Sequence, residues 1–118
     1  MNLGFVLLFV NDPAVSAAFY RNILQKDTVE ESPTFALFVL QNNVNLGLWS
    51  NKTAEPKVTA SAGASEIAFG VDNVDAWYQK WTDLGITMAQ PPTDMDFGRT
   101  FVALDPDGHR IRIYKLRN

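Results

Sequence analysis

One histidine, His109, and no cysteine are all that this 118-residue chain offers to the commonest metal-ligating and nucleophilic chemistry. A single imidazole cannot build a multi-histidine metal centre within one chain. Without thiols there is no disulfide, thiolate metal site or cysteine nucleophile, which fits a reducing compartment. His109 directly follows Asp105-Pro106-Asp107-Gly108. Asp, Pro and Gly account for a hairpin turn on their own, so local hydrogen bonding is the expected role of His109, not catalysis. Asp94 and Asp96 have the proximity of an acid–base pair, but a solvated loop explains them equally well. The chain carries no nucleophile elbow, P-loop or dinucleotide fingerprint, and Gly63-Ala64-Ser65 reads as linker.

The elements that must position these groups come as two similar halves. Leu3-Gly4-Phe5-Val6-Leu7-Leu8-Phe9-Val10 is a continuous apolar run, which predicts a strand buried on both faces. Asp12 is suited to cap a following helix and Pro13 to open it. Val15, Ala18, Phe19 and Ile23 recur at helical spacing to about Leu24. Three strands are expected near 27–31, 34–41 and 44–50, the last two joined by Asn42-Asn43. The order then repeats. Glu66 to Val71 reads as a strand, and Asp72-Asn73 precedes a helix whose inner stripe is Val74, Trp77, Trp81 and Leu84, ended by Gly85. Strands near 86–89, 99–105 and 109–116 follow, with Phe97-Gly98-Arg99 in the loop before the second of them. Val10-Asn11-Asp12 and Val71-Asp72-Asn73 lie 61 residues apart. This predicts a single α+β domain over 1–118, with βαβββ modules at 1–50 and 65–118 and a polar linker at 51–64.

Composition excludes several function classes. The chain is 47% hydrophobic and 19% charged, an ordinary globular mixture and not a disordered one. At this length folding buries roughly 60–70% of the surface, enough for a core. No run approaches the ~20 apolar residues of a membrane span, and no cationic region precedes residues 3–10, so neither a membrane helix nor a signal peptide is expected. The net charge of −3 argues against nucleic acid as a partner.

The strand–Asn11-Asp12-Pro13–helix entry, Phe19-Tyr20-Arg21, and Phe101-Val102-Ala103-Leu104-Asp105-Pro106-Asp107-Gly108-His109 resemble the vicinal oxygen chelate superfamily. This is the group of glyoxalase I, extradiol dioxygenases, fosfomycin-modifying enzymes and bleomycin-resistance proteins. The resemblance implies two βαβββ modules curled into a cup, and a homodimer. It also implies a divalent metal held by His, Gln or Glu at four positions. Carried over one at a time, those positions fall on Phe5, Gly47, Glu66 and Arg112. Only Glu66 can be a ligand, and Arg112 is a permanent cation. The expectation is no metal and no cofactor, with a Glu66–Arg112 ion pair where the ligands would converge, or Arg112 holding an acidic group of a ligand.

Alternation then assigns a pocket face. Phe5, Leu7 and Phe9 share the metal-equivalent side of the first strand, Asn45, Gly47 and Trp49 that of the fourth, Glu66, Ala68 and Gly70 that of the fifth, Thr100 and Val102 that of the seventh, and Arg110, Arg112 and Tyr114 that of the last. Trp49 is the expected stacking residue, whereas Trp77 and Trp81 belong to the core. Phe35 and Phe38 either line the pocket or fill the core, and Phe38 is counted with the pocket. Arg99 is expected at the pocket mouth. This set predicts a cytoplasmic, metal-free protein that sequesters a planar aromatic antibiotic or similar hydrophobic molecule, as in the phenazine- and bleomycin-resistance branch. The alternative is a lyase or dioxygenase-type enzyme of the same superfamily, metal-dependent or using Glu66 as a base raised by burial.

Overall fold

The expected strand–helix–three-strand order appears twice in a computed structural model that describes residues 1–118. The elements are β1 (Phe5–Val10), α1 (Pro13–Leu24), β2 (Glu30–Glu31), β3 (Phe35–Val39) and β4 (Asn45–Ser50). They are followed by β5 (Glu66–Gly70), α2 (Val74–Asp83), β6 (Met88–Met95), β7 (Gly98–Leu104) and β8 (Arg110–Leu116). The strands form two four-stranded mixed sheets, β1-β4-β3-β2 and β5-β8-β7-β6, an α+β architecture. The chain divides into two compact units, Met1–Gly63 and Ala64–Asn118. The start of the polar segment after β4 is tied to the first unit. Asn51 Nδ2 donates to Asn11 Oδ1 at 2.8 Å, and Ala54 is buried. No helix is long and apolar enough to cross a membrane.

Both helices start on the repeated cap. Asp12 Oδ1 accepts from the Ala14 N–H and Asn73 Oδ1 from the Ala76 N–H, each at 3.0 Å. These capping oxygens satisfy backbone donors that the first turn leaves unpaired. Gln25 in the left-handed region ends α1, and Gly85 at φ 79° follows α2.

The buried stripe of α1 differs from the expected one. It is Pro13, Ser16, Ala17, Tyr20 and Ile23, while Val15 is 52% exposed and Ala18 is also exposed. Small Ser16 and Ala17 let the helix approach the sheet closely, and Tyr20 fills the space beyond them. In α2, Trp81 is buried and meets Phe101 edge-on at 5.6 Å. Trp77 is only half-buried beneath the Lys80 ammonium, and Leu84 is exposed. These two therefore fall outside the expected core stripe.

The first strand is covered by the chain on one face only. Leu8 and Val10 are buried, but Phe5 is 52% and Leu7 39% exposed. β6 is longer than expected, because Pro91 and Pro92 sit on an edge strand within the register irregularity between Gln90 and Thr93, where a missing N–H breaks no ladder. Consequently Gly98 and Arg99 lie on β7 and not in a loop. Gly98 has φ 147°, and a Cβ there would overlap the Lys115 carbonyl oxygen, so this crossing of the ladder requires glycine. In the β7–β8 turn, Asp105 Oδ1 accepts from the N–H groups of Asp107 and His109, both at 2.9 Å. The buried His109 ring meets Ser65 Oγ through Nδ1 at 2.6 Å, the local role expected of it.

These burial differences have a measurable consequence. Phe38→Ala empties a fully buried site and is expected to destabilise the protein by about 3–5 kcal/mol, whereas Phe5→Ala costs less than about 1 kcal/mol. Urea unfolding of the two variants beside wild type checks the pair.

Candidate functional site

Parallel pairing of the first and last strand of each unit builds the candidate faces. In the first unit, β1 and β4 align Phe5 with Asn45, Leu7 with Gly47 and Phe9 with Trp49. β3 adds Phe35 beside Trp49 and Leu37 beside Gly47. Because partners in register share a face, these residues form one apolar surface on the side away from α1. Trp49 lies between two rings, Phe9 at 6.1 Å and tilted, and Phe35 at 6.4 Å and edge-on. A Cβ on Gly47 would come within 2.5 Å of Leu7 Cδ2 and 3.0 Å of Phe35 Cζ. The absent side chain is therefore what lets Leu7 and Phe35 close over the sheet.

The same frame in the second unit carries charge. β5 and β8 align Glu66 with Arg110, Ala68 with Arg112 and Gly70 with Tyr114. Arg112 donates to Glu66 from Nε at 3.0 Å and from Nη2 at 3.4 Å, so the expected ion pair forms. Arg110 Nε reaches the same carboxylate at 2.8 Å. Arg112 Nη1 also donates to Thr100 Oγ1 at 3.2 Å, and the Phe97 ring lies 6.0 Å from the guanidinium carbon. Tyr114 lies over Gly70, where a Cβ would stand 3.3 Å from its ring.

This donor set does not fit a divalent metal. Phe5 and Gly47 supply no ligand atom, and Arg112 repels a cation. Glu66, the remaining oxygen donor, is taken up by two guanidinium groups. The same contacts bear on Glu66 as a base. The Arg112 hydrogen bond, with further help from both arginine charges, holds its carboxyl below the usual glutamate range, outweighing the opposing effect of partial burial. The rise in proton affinity that a Glu66 base requires is thus replaced by a fall.

Two sequence-derived site residues lie elsewhere than expected, and a third is buried. Phe38 is fully buried on the helix-facing side of β3, and Phe35 occupies the open face instead. Arg99 also faces the helix side, where it grips Asp75 of α2 with two bonds of 2.8 Å and Asp94 at 3.0 Å. Thr100 is on the expected face but fully buried. Its hydroxyl donates to the Ile113 carbonyl at 2.8 Å, so it holds Arg112 and is not itself presented. Phe5, Leu7, Phe9 and Trp49 come together in one unit, and Glu66, Arg112 and Tyr114 in the other. Arg110 lies on the face that strand alternation assigns to it, and Phe97 lies beside the Arg112 guanidinium.

The lowered Glu66 value fixes the sign of a pH effect. Glu66 binds its proton less readily when folded. Its contribution is therefore fully present above the ordinary value of about 4.3 and lost as pH falls through the lower folded value. The Glu66 side chain is 35% exposed, so screening limits that contribution to about 1 kcal/mol or less. Glu66→Gln is expected to be slightly less stable than wild type at pH 7 and to match it near pH 3, as read by urea unfolding at both pH values.

Residues 2–113 match the family model of the glyoxalase/bleomycin resistance protein/dioxygenase superfamily. The phenazine antibiotic resistance protein EhpR of Enterobacter agglomerans is 33% identical over 117 residues, spanning 93% of this chain and 88% of EhpR. The metallothiol transferase FosB of Staphylococcus saprophyticus is 26% identical over 119 residues, spanning 96% of this chain and 76% of FosB. A protein of Agrobacterium tumefaciens, solved in solution by NMR, is 45% identical with a TM-score of 0.88, covering 100% of this chain and 99% of that one. A family match over nearly the whole chain, on two βαβββ units of one design, means that this protein belongs to the glyoxalase/bleomycin resistance protein/dioxygenase superfamily.

Proposed function

We propose that this protein binds and sequesters a planar aromatic small molecule without a metal ion and without changing its bonds. The observation that carries this reading is the open aromatic face of the first unit. Trp49 stands between Phe9 and Phe35, with exposed Phe5 and Leu7 alongside. A soluble domain gains nothing by leaving such a surface uncovered unless something docks there. Flat rings stack on aromatic side chains at little entropic cost, because the surface is already formed.

Similarity to EhpR, a phenazine antibiotic resistance protein, supports this choice of ligand and a role in resistance. On this reading the protein acts in the cytoplasm as a homodimer, and protection is stoichiometric, each binder withdrawing a drug molecule from its target. Phe5, Leu7, Phe9 and Trp49 supply the apolar contacts.

Similarity to FosB, a metallothiol transferase, favours a second reading, a metal-dependent enzyme of the same superfamily. It requires ligands other than those at Phe5, Gly47, Glu66 and Arg112. Metal analysis of protein purified without chelators separates the two. Sequestration predicts far less than one equivalent, and near one equivalent of tightly held divalent metal would establish the enzyme reading.

The direct test is a tryptophan-fluorescence titration against a phenazine carboxylic acid, bleomycin and mitomycin C. Saturable quenching at about micromolar ligand is expected for at least one, with the ligand recovered unchanged. Trp49→Phe should remove the quenching and keep the emission of Trp77 and Trp81. Absence of binding by all three, or recovery of an altered ligand, refutes sequestration.

A further inference from the structure

The open face of the first unit is apolar with one exception. β1, β3 and β4 each turn three residues to it, and Asn45 alone among them has an amide side chain. Asn45 stands opposite Phe5 on β1 and Val39 on β3. It lies four residues along β4 from Trp49, about 13 Å at the usual strand rise. The Gly4 carbonyl fixes its orientation. That oxygen accepts from the Asn45 backbone N–H at 2.9 Å and from Nδ2 at 3.2 Å. A carbonyl oxygen only accepts, so the NH2 edge of the amide must face Gly4 and Oδ1 must face away. Nδ2 is thus engaged, whereas Oδ1 accepts no hydrogen bond from the chain.

The rim of the face agrees with Asn45 in sign. Glu30 stands opposite Leu37 on β2, so its exposed carboxylate shares this side of the sheet. No lysine, arginine or histidine shares it. We infer that Asn45 reads a hydrogen-bond donor on the ligand, so that the molecule bound on this face is a planar aromatic amine. This rests on the sequestration reading above and adds the ligand's chemical class to it. Stacking alone accepts a flat ring in many orientations, and an apolar site takes its selectivity from few placed polar groups. A ring stacked on Trp49 and lying along β4 crosses Gly47 and brings its far edge toward Asn45. An N–H at that edge replaces the water on Oδ1. A ligand that covers Oδ1 without a donor leaves the oxygen unpaired, which costs affinity.

The test compares 2-aminophenazine, 2-methylphenazine and 2-methoxyphenazine by isothermal titration calorimetry on the full chain at pH 7, with Trp49 emission followed in parallel. All three are uncharged at that pH and share the ring, and only the amine donates. The amine is expected to bind about fivefold tighter than the other two. Asn45→Leu should erase that preference and leave the affinity for the methyl compound within about twofold. Asn45→Asp retains an oxygen acceptor and should keep the preference. Arg21→Gln, on α1, should keep it too. Should Asn45→Leu fail to fold, Asn45→Ala takes its place with the same expected result. Equal affinity of the three compounds for the wild-type protein, with Trp49 still quenched, would overturn Asn45 as the reader and leave sequestration standing. A preference for the methoxy compound, or a preference for the amine that survives in the folded Asn45→Leu or Asn45→Ala variant, would overturn it as well. Failure of all three to bind or to quench Trp49 would overturn the sequestration reading and this one with it.

Discussion

Parallel pairing of the first strand of each unit with its last is the constraint from which the other features follow. A parallel pair cannot be closed by a tight turn, so the chain must leave the sheet and return. It leaves as a helix after β1 and after β5, and the helix settles on one face of the sheet it came from. That face becomes core, with Leu8, Val10, Leu46, Leu48 and Phe38 in one unit and Phe101, Ile111, Ile113 and Trp81 in the other. The opposite face is left open. Every second residue of β1, β4, β5 and β8 is thereby committed to a surface that its own unit does not cover.

The two units load this shared frame with different chemistry. Phe5, Leu7 and Phe9 beside Asn45, Gly47 and Trp49 correspond, pair for pair, to Glu66, Ala68 and Gly70 beside Arg110, Arg112 and Tyr114. The first set is mainly apolar and aromatic. The second is a carboxylate between two arginines. In each, small residues admit a large neighbour. Gly47 makes room for Leu7 and Phe35, and Gly70 for Tyr114. The ion pairs add little stability where solvent reaches them. Their consequence is chemical, because Glu66 stays ionised, Arg112 is oriented, and the carboxylate is not left for a cation or a proton.

Electrostatics on the helix side has a different role. Arg99 joins α2 to the β6–β7 hairpin through Asp75 and Asp94, and Arg21 joins the end of α1 to the following loop through Asp27 and to β2 through Glu31. These arginines are consumed in clamping helices to strands. Only a strand position whose parity faces away from the helix leaves an arginine able to meet a ligand, and Arg110 and Arg112 have that parity.

The repeat, the helix caps and the order of elements along the chain are all present in the sequence. Each depends on local residue type and spacing. Asp12 and Asn73 cap wherever they occur at a helix start, and Phe5, Gly47 and Arg112 cannot ligate a metal in any fold. What the sequence could not decide was which side of an element faces inward when both sides are apolar. Phe35-Ala36-Leu37-Phe38-Val39 is apolar throughout, so alternation separates Phe35 from Phe38 without saying which is core. Only the register against β4 buried Phe38 and opened Phe35. The helix α1 buried Ser16 and Ala17 in place of Val15, a choice of face made only when the helix packed on its sheet. Arg99 was spent on α2 because its parity on β7 put it within reach of Asp75. Composition and spacing act along the chain, whereas parity, register and distance of approach are set between elements that meet only when the chain has folded.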